Sequence, residues 1–205
     1  IDLKYGKLKA NNIASEQKDP LTEINLGYSE GTIESCKWIK VNIKYSKIEI
    51  AESKALIFVS KYSKIFIENG SSIVTDSKYD TYEVGAIANF VGKSEYSNYK
   101  FKSIGKKLHI ETSYTDVKVG FVPPSFEHVK IINRYGSYNL GIDNGAAYTL
   151  TGIAKFGNII YPEKSKVSRF QETTELSVDG YVGTNSAPEA KVEIDTKYGT
   201  VKLVP

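Results

Sequence analysis

Apolar residues recur at alternate positions in short stretches of the chain, as in Val41-x-Ile43 and Ile48-x-Ile50. Successive side chains of a strand point to opposite faces, so this pattern predicts strands that have one buried face. The segments between them are too short for a helix and are rich in residues that tolerate a bend. All six prolines lie outside the repeated strands, as a hydrogen-bonded ladder requires. The pattern therefore predicts an all-β chain.

An internal repeat organises these strands. Each repeat has an aromatic anchor, then a small or polar residue, and an apolar residue five positions after the anchor. Most anchors follow one another at 17 to 23 residues, and the last gap of 42 residues equals two repeats of 21. The anchors are Tyr5, Tyr28, Tyr45, Tyr62, Tyr79, Tyr96, Tyr114, Tyr135, Phe156 and Tyr198. A period of this length is typical of a solenoid.

Two all-β architectures fit the repeat. In a single-domain β-solenoid, similar to a parallel β-helix of about ten coils, each anchor stacks on the next at about 4.8 Å, the spacing of neighbouring strands. In an antiparallel β-sandwich or barrel, hairpins would have no need of a tyrosine at a fixed period. The position-specific identity favours the solenoid. Tyr82, Tyr99 and Tyr138 stand three residues after an anchor, where other repeats have aliphatic residues, and we expect them in the core.

Three segments depart from the repeat. We predict a protruding loop over residues 11–23, a corner loop over 120–128 around Pro123 and Pro124, and one degenerate coil with a loop over 162–191. The best strand in the last segment is 175–178. No linker-like stretch interrupts the chain, which predicts one domain over residues 1–205. The chain begins inside a repeat, so we expect that upstream residues, including a signal peptide, have been removed.

Composition narrows the possibilities further. The 205 residues are 40% apolar and 25% charged, which excludes intrinsic disorder. The longest apolar run, at 55–59, is far too short for a transmembrane segment. Cys36 is the single cysteine, so it can form neither an internal disulfide nor a cysteine cluster for a metal, and we expect a structural role for it in a turn. The net charge of +3 neither demands nor excludes an anionic partner.

Lysines flank several anchors and form the candidate ligand edge. In a stacked solenoid, the five lysines nearest three consecutive anchors would share one edge of the rod. They are Lys44, Lys47, Lys61, Lys64 and Lys78. Such an edge could bind an acidic polysaccharide or another polyanion, or it could be a solvated face that keeps a β-rich surface soluble. Acidic residues at equivalent corners favour the solvated face. The use of Lys rather than Arg argues against nucleic acid as a partner.

No catalytic residue, cofactor site or metal site is predicted. Strand alternation points His109 outward, and His128 lies in a predicted loop, so we interpret both as surface histidines without a nucleophile or ligand set. Asp76, Asp80 and Glu95 sit near one corner and offer a weak calcium alternative. The loops show none of the spacings of the known calcium-binding motifs.

Several segments of the repeat resemble those of a known protein family. They are 2–8 (Asp-Leu-Lys-Tyr-Gly-Lys-Leu), 133–140 (Asn-Arg-Tyr-Gly-Ser-Tyr-Asn-Leu), 155–162 (Lys-Phe-Gly-Asn-Ile-Ile-Tyr-Pro) and 195–203 (Asp-Thr-Lys-Tyr-Gly-Thr-Val-Lys-Leu). They are similar to a bacterial family of adhesin-like envelope domains built from Tyr-Gly-x-apolar-x-apolar repeats. The resemblance covers essentially the whole chain. It implies a β-solenoid in the periplasm or at the cell surface, with a non-enzymatic role. Ser replaces Gly after the anchor in four repeats, a departure from the family pattern.

We therefore expect a non-catalytic protein of the bacterial cell envelope, an adhesin or scaffold that binds a glycan or another envelope protein. One alternative is a polysaccharide-degrading enzyme on a β-helix, which would need paired carboxylates or a metal-assisted base in one groove. The other is an assembly module that docks through an open end of the solenoid.

Overall fold

The computed structural model describes residues 1–14, 22–163 and 165–204, and these form one all-β domain around a continuous core. The strands are β1 (Asp2–Lys4), β2 (Lys7–Ile13), β3 (Thr22–Gly27), β4 (Glu30–Lys44), β5 (Lys47–Lys61), β6 (Lys64–Lys78), β7 (Thr81–Glu95), β8 (Asn98–Ser113), β9 (Asp116–Val122), β10 (His128–Arg134), β11 (Ser137–Ile142), β12 (Tyr148–Lys155), β13 (Asn158–Ile160), β14 (Ser165–Gln171), β15 (Glu175–Val182), β16 (Ala190–Lys197) and β17 (Thr200–Leu203). Within these ranges no helix is long and apolar enough to cross a membrane.

Each coil of the molecule has two arms that face each other across the core. The first arm follows an anchor, and the second arm precedes the next anchor. In β5 the first arm buries Ile48 and Ile50, and the second arm buries Leu56 and Phe58. The alternation of buried and exposed residues shifts between the arms, where the pairing with β6 is interrupted at 51 and 54. The first arms of all coils form one parallel sheet and the second arms another. The chain is therefore a β-solenoid, as the repeat predicts.

The aromatic anchors stack along one edge of the solenoid. Neighbouring ring centroids lie 4.7 to 5.2 Å apart, and neighbouring ring planes differ by 2 to 11°. All ten anchors have a positive φ between 51 and 59°, the left-handed conformation that turns the chain from the second arm into the next first arm. The stacking at strand spacing is confirmed. From Tyr5 to Tyr135 the anchors stack in the order of the chain, through about seven turns. The last two anchors, Phe156 and Tyr198, do not stack in chain order.

The final coil does not follow the preceding one in space. Strand β16 pairs in parallel with β10 on one side and with β12 on the other, and β17 lies in the same way between β11 and β13. The ring of Tyr198 consequently stacks between Tyr135 and Phe156. The expectation that each anchor stacks on the next one along the chain is wrong for Tyr135 and Phe156, because the last segment returns and inserts between their coils.

The segment predicted to hold a degenerate coil forms an antiparallel closure instead. Strand β15 pairs antiparallel with β12, and β14 pairs antiparallel with β15. A strand does occur at 175–178, as expected, but its direction is opposite to that of a coil. An antiparallel strand needs only a short connection, whereas a parallel one needs a full crossover, so a hairpin can end a parallel sheet.

Two loop predictions have different outcomes. Strand β9 ends at Val122 and β10 begins at His128, so the corner loop around Pro123 and Pro124 is confirmed. In the predicted loop over 11–23, residues up to Ile13 belong to β2 and those from Thr22 belong to β3, and residues 15–21 lie outside the described part of the chain.

Small residues after the anchors form a second, internal ladder. The Ser46 hydroxyl accepts a hydrogen bond from the Ser29 N–H at 2.9 Å and donates to the carbonyl of Lys44 at 2.8 Å. The Ser63 hydroxyl does the same for the Ser46 N–H, at 3.3 Å. The serines that depart from the Tyr-Gly pattern therefore satisfy a buried backbone N–H of the preceding coil.

Glycine occupies this corner position where the coils approach more closely. A Cβ added to Gly136 would lie 2.1 Å from the carbonyl oxygen of Thr115, and one added to Gly199 would lie 2.2 Å from that of Gly136. No side chain fits at such a distance. At Gly136 and Gly199 the absence of a side chain after the anchor thus reflects how near the neighbouring coil lies.

Ser46→Ala should destabilise the protein by about 1–3 kcal/mol, because it leaves the buried N–H of Ser29 without an acceptor. Urea unfolding followed by circular dichroism measures this loss. Ser71→Ala, at an exposed position of β6, is the matched control and should change the unfolding free energy by less than about 0.5 kcal/mol. Equal effects of both substitutions would contradict the role of the internal ladder.

Tyr82, Tyr99 and Tyr138 lie in the core, with 0, 2 and 1% of their surface exposed, which confirms their predicted placement. Their hydroxyls find partners on the facing arm: Tyr82 with Ser60 at 2.6 Å, Tyr138 with Thr112 at 2.6 Å, and Tyr99 with Ser77. The core therefore contains a row of polar pairs between apolar layers. Tyr148 differs, since its buried hydroxyl has no partner among the described residues.

Tyr148→Phe should leave the unfolding free energy unchanged or raise it, because the substitution removes a buried hydroxyl that makes no hydrogen bond. Tyr138→Phe is the matched control. It should cost about 1 kcal/mol, because it removes the 2.6 Å hydrogen bond between Tyr138 and Thr112 and leaves the Thr112 hydroxyl only the longer one to Asn133 Oδ1, at 3.4 Å. Thermal unfolding of both variants measures the contrast, and a larger loss for Tyr148→Phe than for Tyr138→Phe would refute it.

Candidate ligand-binding surfaces

The aromatic stack presents ring edges to solvent, because each ring covers the faces of its neighbours. The anchors within the stack are 40 to 54% exposed, and Tyr5 at its end is 78% exposed. Sugar rings stack on aromatic faces, so the interior of this ladder offers no such platform. It offers instead a row of phenol hydroxyls, one per coil on nine of the ten rungs. Hydroxyl groups can donate hydrogen bonds to an anion.

The five predicted lysines do share this edge. The register of β4, β5 and β6 places Lys44, Lys61 and Lys78 in consecutive coils directly before the anchors, and Lys47 beside Lys64 directly after the corner. The ammonium group of Lys61 lies 5.3 Å from the ring centroid of Tyr62, its own anchor. The structure thus assembles a cationic row along the hydroxyl row.

Two of these lysines already have acidic partners. Lys47 pairs with Glu49, and Lys78 pairs with Glu95 at 2.6 Å. The hydrogen bond to Glu49 raises the pKa of Lys47, and the one to Glu95 raises the pKa of Lys78. Lys44, Lys61 and Lys64 have no carboxylate at ion-pair distance among the described residues. These three are the cations that a ligand could engage without displacing a partner.

A depression of about 640 Å³ lies beside the ladder near its first rungs. The depression is lined by Lys4 and Lys44, together with Tyr28, Tyr45 and Asn42. Two cations and two tyrosines therefore meet in one concave surface, which the Asp2 carboxylate also lines. The Asn42 amide already donates hydrogen bonds to Glu23 and Asn25. Sequence reasoning found Lys44 by its spacing but missed the depression, because its shape depends on how the second arms stack.

A second groove, of about 910 Å³, runs along the outer face of the first-arm sheet. One end is acidic and the other basic, and Phe66 lies within the acidic end. The acidic residues are Glu34, Glu49, Glu68 and Glu83, and the basic residues are Lys100, Lys102 and Lys118. Glu49 and Glu83 lie on either side of Phe66, one coil away in each direction. A polysaccharide-degrading activity would require carboxylates arranged along such a groove.

The outer face of the second-arm sheet carries an apolar row. Ile57, Val74 and Val91 stand beside one another in consecutive coils and are 36, 46 and 45% exposed. His109 continues the same row in the next coil.

The two histidines meet, which sequence reasoning did not foresee. His109 Nε2 and His128 Nδ1 are 2.9 Å apart, and His128 Nε2 lies 2.9 Å from Glu193 Oε2. Both histidines lie on the surface, as predicted, but His128 begins β10 rather than lying in a loop, and the pairing of β10 with β8 brings the two rings together. Glu193 lies on the inserted strand β16, which pairs with β10. Burial, followed by the charge of His128, lowers the pKa of His109.

Cys36 lies in the core rather than in a turn. It belongs to β4 and is 5% exposed, and burial raises the pKa of its thiol to about 11. A thiol that remains protonated at neutral pH is a poor nucleophile and a poor metal ligand. The expected structural role is consistent with this position, although the predicted turn is wrong.

The three carboxylates considered for calcium do not converge. Asp76 is exposed on the outer face of β6, and Glu95 pairs with Lys78. Asp80 is buried at the corner and accepts hydrogen bonds from the Ser63 N–H at 2.7 Å and the Ser60 hydroxyl at 2.7 Å. Among the described residues, no group of three or more acidic, histidine or cysteine side chains is arranged to hold a metal ion.

Asp80 should make the stability of the protein depend on pH. Burial raises its pKa above the ordinary value of 3.8, so the folded chain holds this proton more tightly than the unfolded chain does. As the pH falls from neutral towards 3.8, the difference in unfolding free energy between the wild type and Asp80→Asn should shift in favour of the wild type.

Urea titrations at several pH values between 7 and 4 measure this difference. Asp195→Asn, which removes an exposed carboxylate on β16, is the control and should show no such shift. A pH-independent difference for Asp80→Asn would contradict the raised pKa.

Comparison of the chain with protein-family models, with curated proteins and with solved structures finds no match to any of the three. The surfaces described above are therefore interpreted from their own geometry and chemistry.

Proposed function

We propose that this chain is a non-catalytic, adhesin-like protein of the bacterial cell envelope that binds a linear anionic glycan along its lysine and tyrosine edge. The observation that carries the proposal is the row of Lys44, Lys61 and Lys78 in consecutive coils beside exposed phenol hydroxyls. A polymer with carboxylate or sulfate groups at regular intervals would meet an ammonium group and a hydroxyl on each of these three coils. The envelope location rests on the resemblance of the repeat.

Several features support a linear ligand over a small one. The centroids of the tyrosine rings that carry the hydroxyls repeat at 4.7 to 5.2 Å, so contacts can add along a chain. Single contacts between exposed charges are weak, about 0–1 kcal/mol each, and only a ligand that spans several coils would bind tightly. The depression between Lys4 and Lys44 gives one end of the row a concave contact.

Charge reversal tests the proposal. The triple variant Lys44→Glu, Lys61→Glu and Lys64→Glu changes the three lysines that lack a carboxylate partner. It should weaken binding to alginate or dextran sulfate by about tenfold or more, since this corresponds to about 1.4 kcal/mol of binding free energy. Calorimetric titration at low salt measures the affinity, and added salt should weaken binding of the wild type.

The matched control is Lys100→Glu, Lys118→Glu and Lys202→Glu, which makes the same charge change on the outer face of the first-arm sheet. It should retain most of the affinity. Equal losses in both variants would indicate attraction to net charge alone, and unchanged binding of the first variant would refute the edge as the site. New reducing ends or unsaturated products in the same mixtures would favour the enzyme alternative, with Glu49 and Glu83 as its candidates.

A further inference from the structure

We propose that His109 and His128 form a binding site for a copper(II) or nickel(II) ion, with Glu193 as the carboxylate that orients one of the imidazoles. The site lies on the outer face of the second-arm sheet, where β8, β10 and β16 are neighbours. It is separate from the lysine edge, and it does not depend on the proposed glycan function.

The distance between the two ring nitrogens fits two neighbouring ligands of one metal ion. Two imidazole nitrogens at about 2.1 Å from an ion and at right angles to each other lie about 3 Å apart. His109 Nε2 and His128 Nδ1 are 2.9 Å apart. Right-angle placement is characteristic of the tetragonal geometry that copper(II) and nickel(II) prefer, whereas tetrahedral zinc would hold the nitrogens farther apart.

The orientation of the rings also fits a shared ion. The ring centroids are 4.5 Å apart and the planes meet at 82°. In a head-on hydrogen bond between two imidazoles, the ring centroids would be farther apart than this. The nitrogen lone pairs are therefore tilted away from the line that joins the nitrogens, as they must be to point at one ion beside that line.

Glu193 fixes which nitrogen of His128 is available. A carboxylate can only accept, so the His128 Nε2–H donates to Glu193 Oε2 at 2.9 Å and Nδ1 keeps its lone pair. A carboxylate on the far nitrogen is the arrangement that orients metal-binding histidines in proteins. On binding, the proton of His109 moves from Nε2 to its other ring nitrogen, Nδ1, and the ion takes the place of that proton.

The remaining positions around the ion would be filled by water, because the site is on the surface. Both histidines are partly exposed, and the side chain of His128 is 26% exposed. Lys107 and Lys130 lie nearby and oppose a cation, although Lys107 is paired with Glu127 at 3.0 Å. Two imidazoles with this charge environment give a site of moderate affinity.

The experiment uses the full chain and copper(II) as the probe. These are the only two histidines of the chain, and Cys36 is buried with a protonated thiol, so a signal from imidazole nitrogen reports on this site alone. We expect one copper(II) per chain by calorimetric titration at pH 7.5. The electron paramagnetic resonance spectrum should show coupling to two nitrogen nuclei.

Substitutions separate the roles of the residues. His109→Ala and His128→Ala should each weaken binding by about tenfold or more and reduce the coupling to one nitrogen. Glu193→Gln should weaken binding by about 10–100-fold while both nitrogens remain coupled, because it acts through His128. Glu111→Gln is the matched control: it removes a carboxylate from the same face, paired with Lys93 at 3.4 Å, and should leave the affinity unchanged.

Three results would overturn the proposal: no copper(II) binding by the wild type, equal binding by the variant that lacks both histidines, or equal losses for Glu111→Gln and Glu193→Gln. All substitutions lie on the outer face, and circular dichroism with thermal unfolding establishes that each variant is folded. A folded variant that lacks both histidines thus keeps the test decisive.

Discussion

Every turn of this molecule closes on an aromatic residue in the left-handed conformation, stacked on the equivalent residue of the next coil. A left-handed backbone costs a residue other than glycine about 1–2 kcal/mol. Stacked aromatic pairs contribute about 0.5–1.5 kcal/mol each beyond the area that they bury, and each ring inside the row stacks on two neighbours. The backbone hydrogen bonds at the corner, such as that from the Tyr45 N–H to the carbonyl of Lys61 at 3.1 Å, hold the same register. The anchor therefore sets both the position of the corner and the alignment of the coils.

Because the alignment is fixed, any feature that recurs in the repeat becomes a continuous row. Ser46 and Ser63 form part of a buried row of hydroxyls, and Lys44 and Lys61 form part of an exposed row of cations. A solenoid converts spacing along the chain into spacing along a rod, which suits it to recognise a ligand that is itself periodic. This is the physical basis on which we assign the edge to a linear anionic polymer.

The end of the rod follows a different principle. Parallel strands at a sheet end leave unpaired backbone groups, which favour association with other strands. The antiparallel strands β14 and β15 cover β12, and the inserted strand β16 ties the last coils together. The insertion has a chemical consequence, since it brings Glu193 to His128 across 65 residues of sequence. The histidine pair forms between two coils stacked in chain order, and its carboxylate reaches it only because β16 is inserted out of chain order.

The sequence by itself determined the local features: the strands, the anchors, the coil period, the buried column of Tyr82, Tyr99 and Tyr138, and the sharing of one edge by the five lysines. These features repeat, and a repeat reports on contacts with an equivalent neighbour. Only the tertiary structure decided the place of Tyr198 between Tyr135 and Phe156, the direction of β15, and the meeting of His109 with His128. The first two contacts join segments that are not equivalent, so no periodic signal encodes them, and they depend on which free strand edge the returning chain pairs with. The histidines lie on neighbouring coils, but the sequence pattern assigned His128 to a loop, so only the structure placed it in β10 beside β8.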